Sequence, residues 1–393
     1  MDHPVEQPSA SDFDLQSLFD HPDPYPLFAA LRASDPVMRF DTPRRRGYMV
    51  TRYDDCLAIL KDPDTFSSRS NAEAGRVLGR TILEMDGKEH TRHRALIQHA
   101  FAPKSLDGLE ALLTSVVHEI IDEFASAPRA DLVAQLTERY PIQIIAHLLG
   151  IPRADYPTFQ RWALELMTFP KDLDVGLAAS AAVRAYLLPI VAARRAEPRD
   201  DLLTRLVLGT IDGRGLDDEE VVNFCRLLLP AGAETTFRLI GNLLVALLSE
   251  RDTRWERVRA DRALVPWAIE ETLRWEGSIV MLSRASTKPT RLSGVDIPAG
   301  EFLSVVIGSA NRDERHYTEP DVFDLDRHAE DHLAFGFGRH HCVGYHLARL
   351  EVRVVLDALF ERLPNLRLDP DAPPPAITGL AFRSPKRLRV LVA

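Results

Sequence analysis

The sequence predicts a mainly α-helical fold with small β-sheets, arranged as one domain over residues 1–393. Apolar residues recur at helical spacing over long stretches, whereas segments with strand-like alternation are short. No repeat, low-complexity tract or Gly/Ser linker divides the chain. A hydrophobic content of 45% with 27% charged residues is typical of a globular protein that buries a sizeable core. We expect about the first 20 residues to form a loosely ordered tail.

The helical pattern covers long segments whose ends are fixed to within a few residues. They are residues 106–125, 132–149, 159–167, 177–195, 217–250 and 343–363. Shorter helices are expected at "DGKEHTRHRALI" and around "EETLR". Strand-like pieces are "GYMVTR" near the start, "SRAST", "RLSGVDIPAG" and "FLSVVIG" in the C-terminal half, and "RLRVLV" at the end. Helices and strands alternate without a point at which a second domain would begin.

The charge and the cysteines restrict the class of protein. A formal net charge of −10 argues against nucleic acid as a partner, because proteins bind its backbone with a basic surface. The cysteines, Cys56, Cys225 and Cys342, are few, odd in number and far apart. We therefore expect no disulfide framework and a cytoplasmic location. The N-terminal stretch lacks the basic end and apolar core of a signal peptide. No uninterrupted apolar run is long enough to span a bilayer, so we expect no membrane anchor.

The most specific pattern is "FGFGRHHCVG", residues 335–344, which we call the thiol loop. Cys342 precedes a helix, whose free N–H groups and dipole would lower the pKa of the thiol and favour the thiolate. Gly336 and Gly338 allow backbone angles that are closed to other residues. Gly344 leaves room for a bulky group at the start of the helix.

Three interpretations of the thiol loop stay open from the residues alone. A free cysteine is most often a buried structural residue. Zinc would take His340, His341 and Cys342, although three consecutive ligands do not match the spaced patterns of zinc sites. A haem iron needs only one protein ligand, and a thiolate is a strongly donating one.

The thiol loop resembles the haem-binding signature of the cytochrome P450 family, in which Phe, Gly, a basic residue, Cys and Gly recur at these intervals. The resemblance implies a cytochrome P450 fold, with haem b between a long central helix and the thiol loop with its following helix. It also implies that Cys342 is the metal ligand. His340 then faces a haem propionate, Phe335 packs beside the sulfur, and Gly344 belongs to the cofactor site.

A second pattern, "LLLPAGAETTF", lies in the longest helical segment. Pro230 should bend this helix, and Gly232 leaves room for a flat ligand. Glu234 and Thr235 place an acid beside an alcohol. The pair is either a polar defect, with the Thr235 hydroxyl bonded to the Ala231 carbonyl, or a proton relay. The segment resembles the family's oxygen-activating motif, which implies that Glu234 and Thr235 are catalytic and deliver protons.

A third pattern is "EETLR", in which Glu271 and Arg274 are three residues apart and share a helical face. From the spacing alone this is a surface salt bridge worth under about 1 kcal/mol. The family resemblance implies a buried structural network instead. In that network Arg327 of "VFDLDRH" joins the pair and supports the thiol loop.

A fourth pattern places His90 and Arg94 four residues apart in "DGKEHTRHRALI". Two cationic donors on one face suit a pair of carboxylates, although a solvated basic face would look the same. The segment resembles the family's first propionate-binding helix, with Gly87–Lys88 where relatives often carry two prolines. By the same resemblance Arg284 in "MLSRAS" is a propionate arginine from a strand.

The motifs stand in the family's order, and the resemblance covers nearly the whole chain. It implies a haem-thiolate monooxygenase that inserts one oxygen atom of O2 into its substrate. No flavin- or iron–sulfur-binding segment is visible, so we expect electrons from NAD(P)H through a separate ferredoxin-type donor and its reductase. Arg339, Arg349 and Arg353 form a basic patch that could steer an acidic donor, unless they are a solvated face.

Other functions remain compatible with the same fold. They are a peroxide-driven peroxygenase, a non-oxygenating isomerase or dehydratase, and a haem-binding sensor. The Glu234–Thr235 pair argues against the peroxygenase, which needs no protein relay. Product formation that depends on electrons separates the monooxygenase from all three.

The substrate pocket is expected to be apolar and to take a hydrophobic organic molecule of small to medium size. Its walls would come from "GSIVMLSR" and from "TGLAF", residues 378–382, which we call the lip. Phe169 and Pro170 would cover the entrance. If the residues are instead core, no pocket forms there. The predicted lining residues are Phe169, Leu228, Ala231, Ile279, Val280, Met281 and Leu380.

Overall fold

The structure is a computed structural model that describes residues 23–42, 45–168 and 172–392. Helices dominate, and short strands gather in small sheets, which confirms the predicted fold class. The predicted N-terminal tail lies outside the described residues, so its loose order stays a prediction.

Fifteen α-helices occur within the described ranges, joined in places by short 3-10 and π-helical turns. They are α1 Tyr25–Ser34, α2 Tyr53–Lys61, α3 Gly75–Leu78, α4 Gly87–Gln98, α5 Pro103–Leu106, α6 Glu110–Asp122, α7 Tyr140–Leu148, α8 Tyr156–Leu166, α9 Leu173–Ala196, α10 Leu202–Leu208, α11 Asp218–Leu248, α12 Glu256–Ala260, α13 Val265–Trp275, α14 Ile307–Ala310 and α15 Tyr345–Arg362.

The strands are β1 Val37–Asp41, β2 Arg46–Val50, β3 Phe66–Ser67, β4 Arg129–Asp131, β5 Thr210–Ile211, β6 Arg214–Gly215, β7 Leu282–Ser286, β8 Thr290–Leu292, β9 Val295–Ile297, β10 Phe302–Val305, β11 Arg367–Leu368, β12 Ile377–Thr378, β13 Ser384–Pro385 and β14 Arg389–Leu391. The largest sheet has the order β1-β2-β10-β7-β3. Within it β10 runs parallel to β2 and antiparallel to β7, with Leu303 opposite Arg284. A second sheet has the order β11-β14-β4, and the other strands pair as β12-β13, β5-β6 and β8-β9.

The long helix α11 forms the centre of the helical part. It begins at a capping box, in which Asp217 Oδ1 accepts from the Glu220 N–H over 2.8 Å and Glu220 Oε2 accepts from the Asp217 N–H over 2.9 Å. Its side chains are buried almost throughout, against α7, α8, α9, α10, α13 and α15. The helix continues without a break through Pro230, so the predicted bend does not interrupt it.

Helices α9 and α11 are long and apolar enough to cross a membrane by length and composition alone. This finding qualifies the expectation that no segment could span a bilayer. The apolar part of α11 is 72% buried inside the protein and that of α9 is 33% buried. A buried core helix passes the same test, so the two helices are weak evidence for a membrane span.

Most predicted helices end within a few residues of the observed ones, but the segment 132–149 is broken. A π-helical turn, Val133–Thr137, comes first, and α7 starts afresh at Tyr140. The reason is Pro141, which occupies the first turn of α7, where its missing N–H costs no helical hydrogen bond. Helix α10 was not predicted from periodicity, although Asp201 caps it by accepting from the Thr204 N–H over 2.7 Å.

Candidate active site

The thiol loop packs on the end of α2 and leads into α15. Gly336 and Gly338 have φ angles of +67° and +69°, in the region that favours glycine. A Cβ atom on Gly338 would lie 2.7 Å from the Leu60 carbonyl oxygen, so a side chain there would collide with the backbone of α2. The Cys342 N–H donates to the Phe335 carbonyl over 2.9 Å and closes the loop. The glycines thus fix the position of the thiol.

Burial raises the pKa of the Cys342 thiol, although the Gly344 N–H and the charges of Arg94 and Arg349 lower it. The expectation that the start of α15 would by itself favour the thiolate is therefore wrong, because desolvation outweighs the helix terminus. A metal ion changes this balance, since a coordinating thiol gives up its proton. A Cβ atom on Gly344 would meet nothing within 4 Å, so there is open space beside this residue for a bulky cofactor.

The zinc interpretation lacks its ligands. No group of three or more His, Cys, Asp or Glu side chains suited to a metal ion occurs among the residues that the structure describes. His341 packs instead against Tyr345, with ring centroids 4.7 Å apart, and His340 packs against His90. A site with one thiolate ligand is the interpretation that agrees with this arrangement.

Two histidines meet beside the thiol loop. The ring centroids of His90 in α4 and His340 lie 4.1 Å apart. His90 Nδ1 and His340 Nε2 are buried and have no hydrogen-bond partner in the described part of the chain; the Asp86 Oδ1 atom lies 3.5 Å from the latter. Burial lowers the pKa of His90 to about 4 and that of His340 to about 3. Both rings are therefore neutral at neutral pH and each can donate one N–H.

Two guanidinium groups close to these rings also lack anionic partners within the described residues. Arg284 in β7 is 6% exposed, and its guanidinium donates from Nη1 to the Ser283 carbonyl over 2.8 Å. Burial lowers the pKa of Arg284 to about 10 and also lowers the pKa of Arg94. Buried charges of one sign need a counter-ion. The donors therefore fit a ligand that brings carboxylates into the fold, as haem b does with its two propionates.

The entry to α4 differs from the two-proline pattern for a geometric reason. Gly87 has a φ angle of +55°, which proline cannot adopt because its ring fixes φ near −65°. Asp86, just before it, accepts from the Ser67 hydroxyl over 2.5 Å and from the Ser68 N–H over 3.2 Å. These bonds anchor the turn that positions His90 and Arg94.

One strip of α11 stays accessible while most of the helix is buried. Ala231 is exposed, and Thr235 and Arg238 are half-buried. Spacings of four and three residues place them on one face. The same periodicity puts Leu228 on this face, but its side chain is buried in the core. Because α11 runs through the centre of the fold, an accessible strip on it borders internal space.

Glu234 and Thr235, the polar pair of α11, lie in different environments. Thr235 Oγ1 donates to the Ala231 carbonyl over 2.8 Å. Glu234 Oε1 forms an ion pair with Arg238 Nη2 over 2.5 Å, whereas Glu234 Oε2 is buried without a hydrogen-bond partner in the described ranges. The space expected beside Gly232 is filled, because a Cβ atom there would lie 3.1 Å from Cγ1 of Ile145 in α7. Gly232 permits close helix packing rather than ligand approach.

The structure brings Glu271, Arg274 and Arg327 together in a buried network. Glu271 Oε2 and Oε1 accept from Arg274 Nε and Nη2, each over 2.7 Å, and Glu271 Oε1 lies 3.2 Å from Arg327 Nε. The Glu271 and Arg274 side chains are 1% and 0% exposed. Arg274 also donates to the Asn311, Pro320 and Val322 carbonyls. The network thereby ties α13 to the chain that precedes the thiol loop.

A second ion-pair group was not predicted from the sequence. Glu270 accepts from Arg349 Nε over 2.6 Å and Nη2 over 2.5 Å, and it lies 3.1 Å from His332 Nε2. The Arg349 guanidinium lies over the Phe335 ring, 4.7 Å from its centroid. Arg353 pairs with Glu110 over 2.8 Å. The predicted basic patch is thus largely neutralised, since only Arg339 has no ion pair among the described residues.

The lip pairs with the segment after α13. Ile279 and Phe382 form an isolated antiparallel bridge, and the Val280 N–H donates to the Ala381 carbonyl over 2.9 Å. Successive side chains on an extended chain point to opposite faces. Ile279 and Met281 are half-buried, whereas Val280 is 0% exposed and packs in the core with Val306.

The predicted pocket lining therefore loses one residue of this segment. Val280 belongs to the core and not to the pocket wall, because it points to the opposite face from its neighbours. Leu380 keeps its predicted place, since it is half-buried on the lip and packs against the same small core cluster as Met281. Phe169 and Pro170 lie outside the described residues, so their place over the entrance stays a prediction.

A buried acid that the sequence did not single out holds the lip in place. Glu276 Oε1 accepts from Arg383 Nε over 2.6 Å and from the Tyr25 hydroxyl over 2.9 Å, and Glu276 Oε2 accepts from Arg312 Nη2 over 3.3 Å. Arg383 Nη1 also donates to the Gly379 carbonyl over 2.7 Å. This group links α1, the end of α13 and the lip.

Comparison with known proteins identifies the family. A family model described as Cytochrome P450 matches residues 178–392. Cytochrome P450 monooxygenase PikC of Streptomyces venezuelae is 37% identical over 374 residues, which cover 91% of this chain and 89% of the relative. A Steroid C26-monooxygenase of Mycobacterium tuberculosis (strain CDC 1551 / Oshkosh) is 33% identical over 348 residues, 87% of this chain and 92% of the relative.

Solved structures agree. The cytochrome P450 PksS of the Bacillus subtilis 168 bacillaene polyketide synthase has a TM-score of 0.88 and 29% identity, covering 95% of this chain and 97% of that chain. P450BioI, solved in complex with acyl carrier protein ligated to hexadec-9Z-enoic acid, has a TM-score of 0.86 and 29% identity, covering 94% and 98%. The chain belongs to the cytochrome P450 family of monooxygenases, which use haem b and O2.

Proposed function

We propose that this monooxygenase inserts one oxygen atom of O2 into a hydrophobic organic substrate of small to medium size, with Cys342 as the axial ligand of haem b. The observation that supports the proposal is one thiol, fixed by a glycine-rich loop, beside four buried or half-buried nitrogen donors. In the described part of the chain, only His340 among them lies within ion-pair distance of a carboxylate, that of Asp86 at 3.5 Å. Those donors are His90, His340, Arg94 and Arg284. They suit the two propionates of one haem, while Phe335 and Gly344 shape the loop around the sulfur.

Haem b supplies the oxygen-activating chemistry when it is bound to the thiolate. The protein supplies the ligand, the orientation and the protons. Thr235 Oγ1 donates its proton to the Ala231 carbonyl and leaves its lone pairs free to accept another. Glu234 Oε2 has no partner in the described ranges, so it is free to accept a proton and pass it on. We assign the two residues to the proton supply of the reaction.

An apolar substrate is supported by the half-buried Ile279 and Met281 beside the lip, with Leu380 on it and Ala231 on the accessible strip of α11. Two relatives point the same way. One is named a steroid C26-monooxygenase, and another was solved with a fatty acyl chain carried on acyl carrier protein. Both ligands are largely hydrocarbon, which suits a pocket lined by apolar side chains.

Electrons come from NAD(P)H through redox partners in this family, and we propose a ferredoxin-type donor with its reductase. A cytoplasmic location would suit both, because reducing conditions keep Cys342 as a free thiol until haem binds. Arg339 in the thiol loop has no ion pair among the described residues and supports an acidic donor. The pairing of Arg349 and Arg353 with carboxylates leaves less positive charge for this contact than the sequence alone indicates.

The first experiment is the difference spectrum of the dithionite-reduced protein with and without carbon monoxide. We expect the long-wavelength Soret band of a thiolate-ligated haem in the wild type and in Cys56→Ser, whose buried thiol donates to the Val50 carbonyl instead. Cys342→Ser should lose that band even where haem is retained. No haem in a folded, haem-supplemented preparation would overturn the assignment. A band typical of histidine ligation would mean a different axial ligand.

The second experiment tests the relay. Thr235→Ala should keep its haem and the long-wavelength carbonyl band, yet release hydrogen peroxide in place of product during NAD(P)H-driven turnover. The physical reason is that oxygen chemistry starts but lacks its proton donor. Full coupled turnover in this variant would show that Thr235 has no part in proton delivery.

A further inference from the structure

The carboxylate of Glu234 is held by a residue that follows the stretch "LLLPAGAETTF" directly. Arg238 follows one helical turn later, and its Nη2 atom lies 2.5 Å from Glu234 Oε1. The side chains are 10% and 18% exposed, so the ion pair is largely enclosed. An enclosed charge pair depends on its geometry far more than a surface pair does. Glu234 therefore takes its position from Arg238.

Arg238 also reaches the chain that follows the lip. Its Nη1 atom donates to Ser384 Oγ over 2.9 Å, and its guanidinium carbon lies 5.5 Å from the centroid of the Phe382 ring. Ser384 is opposite Thr378 in the β12–β13 pair. One arginine thus contacts the acid of the relay on one side and the C-terminal end of the lip, at Phe382 and Ser384, on the other.

The turns of α11 on either side of Arg238 are tied to the same segment. Ser278, which precedes the pocket residues, donates its hydroxyl to the Thr235 carbonyl over 2.6 Å. The Arg383 N–H donates to the Ser278 carbonyl over 3.1 Å. Asn242 Nδ2 donates to the Arg383 carbonyl over 3.1 Å. Three successive turns of α11 are thus hydrogen-bonded to the chain that follows the lip or to the segment that pairs with it. Of these three contacts, only that of Arg238 is made by a charged side chain.

The ion pair between Glu234 and Arg238 engages only one of the two carboxylate oxygens. Glu234 Oε2 and Arg238 Nε are both buried without hydrogen-bond partners within the residues that the structure describes. The guanidinium holds one carboxylate oxygen and leaves the other open. A bidentate pair would occupy both oxygens and block proton uptake. The single contact fixes the carboxylate and keeps one oxygen available.

We propose that Arg238 is a positioning residue that fixes Glu234 for proton transfer and links that position to the lip of the substrate pocket. This inference rests on the proposed relay of Glu234 and Thr235. It adds that the proton supply depends on contacts made by the chain that borders the substrate, through Ser384 and Phe382.

The test uses the full-length holoenzyme in four variants. Arg238→Gln removes the charge, Arg238→Lys restores it, and Ser384→Ala removes one contact to the lip while leaving the ion pair. The control is Arg254→Gln. Arg254 forms a like-spaced pair with Glu250 over 3.0 Å and lies 5.0 Å from the Phe323 ring centroid, but it contacts neither the relay nor the lip.

The first readout needs no turnover and follows hydrogen–deuterium exchange of the peptide that spans residues 377–385. Arg238→Gln and Ser384→Ala should speed its exchange, and Arg254→Gln should not, because the lip loses an anchor only in the first two. Unchanged exchange in both lip-contacting variants would overturn the link to the lip.

The second readout is oxygen reduction with NADPH and a surrogate ferredoxin and reductase, without added substrate. We expect Arg238→Gln to slow the proton-dependent rate by about tenfold, a part of the 10²- to 10⁴-fold that a positioned proton donor contributes. The share of hydrogen peroxide and the solvent isotope effect should rise as well. Arg238→Lys should recover most of the rate. A rate and peroxide share equal to those of Arg254→Gln would overturn the proposal, even if exchange of the lip is faster.

Thr235→Ala and Glu234→Gln are measured alongside. They separate the role proposed for Arg238 from the relay proposed for Glu234 and Thr235. If neither changes the peroxide share, the relay itself is wrong. If both raise it and Arg238→Gln does not, the relay stands and the role of Arg238 falls. Where Arg238→Gln fails to fold, Ser384→Ala and Arg238→Lys carry the same test, since one loses the lip contact and the other keeps the charge.

Discussion

The rings of His90 and His340 lie with their centroids 4.1 Å apart, and each presents a buried nitrogen without a hydrogen-bond partner in the described part of the chain. Each of these two buried nitrogens is costly, because an unsatisfied buried polar atom costs about 1–3 kcal/mol. The Arg284 guanidinium has no ion pair among the residues that the structure describes, and with the two rings it forms a set of donors that suits an anionic group. The position of these donors fits an anionic group such as a haem propionate.

The first prediction concerns the binding of the haem propionates by Arg284. Arg284→Gln should release haem faster, because the variant loses a charge-assisted hydrogen bond worth about 1.5–3 kcal/mol, or 10- to 100-fold in rate. Transfer of haem to an excess of an apoglobin measures this rate. Arg291→Gln on β8, the next strand along the chain, is the control, since Arg291 is exposed and pairs with Asp296. Equal rates in the two variants would show that Arg284 does not hold the cofactor.

The second prediction concerns the buried network. Arg274→Ala should lower the free energy of unfolding by about 3–5 kcal/mol, because it leaves the Glu271 carboxylate buried with one fewer partner and frees three backbone carbonyls. Arg291→Ala breaks an exposed pair and should cost under about 1 kcal/mol. Urea unfolding monitored by fluorescence and by the Soret band gives both values. A cost for Arg274→Ala no greater than for its control would contradict the structural role.

The candidate site residues that the sequence indicates most directly lie in motifs with short spacing. The thiol loop and the Glu234–Thr235 pair are local patterns, and so is the pair of His90 and Arg94. The structure explains their local geometry through glycine angles and helix periodicity. Such features follow from rules about neighbouring residues, so a sequence can carry them.

What the sequence could not predict depends on distant contacts. Glu270 and Arg349 are 79 residues apart, and Arg238 and Ser384 are 146 apart. The basic patch is largely neutralised for this reason, since Glu270 and Glu110, which pair with Arg349 and Arg353, lie on other helices. Val280 was misplaced for a different reason, because a run of three apolar residues does not say which face meets the pocket. The predicted lowering of the Cys342 thiol pKa was wrong because burial raises this pKa by more than the helix terminus lowers it. Local sequence does not specify burial.

The third prediction concerns the pH dependence of the Glu270 group. Burial raises the pKa of Glu270, but hydrogen bonds from Arg349 and His332 outweigh burial and lower the pKa to about 2. The folded pKa is thus below the unfolded value of about 4.3. The stabilisation, on the order of 3 kcal/mol, is complete above pH ~4.3 and is lost as the pH falls through about 2.

Glu270→Gln removes this stabilisation, so wild type and variant should differ by a constant amount from pH 6 to 8. The difference should shrink as the pH falls below ~4.3, where wild type begins to protonate. Urea midpoints at closely spaced pH values measure it. A difference that grows towards acid pH would contradict the assignment of the lowered pKa to this carboxyl.

The last prediction has the opposite sign. Glu351 in α15 is 2% exposed, and its Oε2 atom has no hydrogen-bond partner among the described residues. Burial raises the pKa of Glu351 well above its usual value, and a hydrogen bond from Thr236 only partly offsets this. The folded state therefore binds a proton that the unfolded chain releases above pH ~4.3, so folding is penalised increasingly as the pH rises.

Glu351→Gln keeps the shape and removes the ionisable group, so it should raise the free energy of unfolding at pH 7.5 and leave it nearly unchanged at pH 4. The two variants thus separate two causes of a pKa shift, which are hydrogen bonding for Glu270 and burial for Glu351. At the same neutral pH, Glu270→Gln should destabilise the protein and Glu351→Gln should stabilise it. Urea unfolding of the two variants beside wild type at both pH values measures this. A loss of stability in Glu351→Gln at pH 7.5 would mean that Glu351 is ionised and paired in the folded protein.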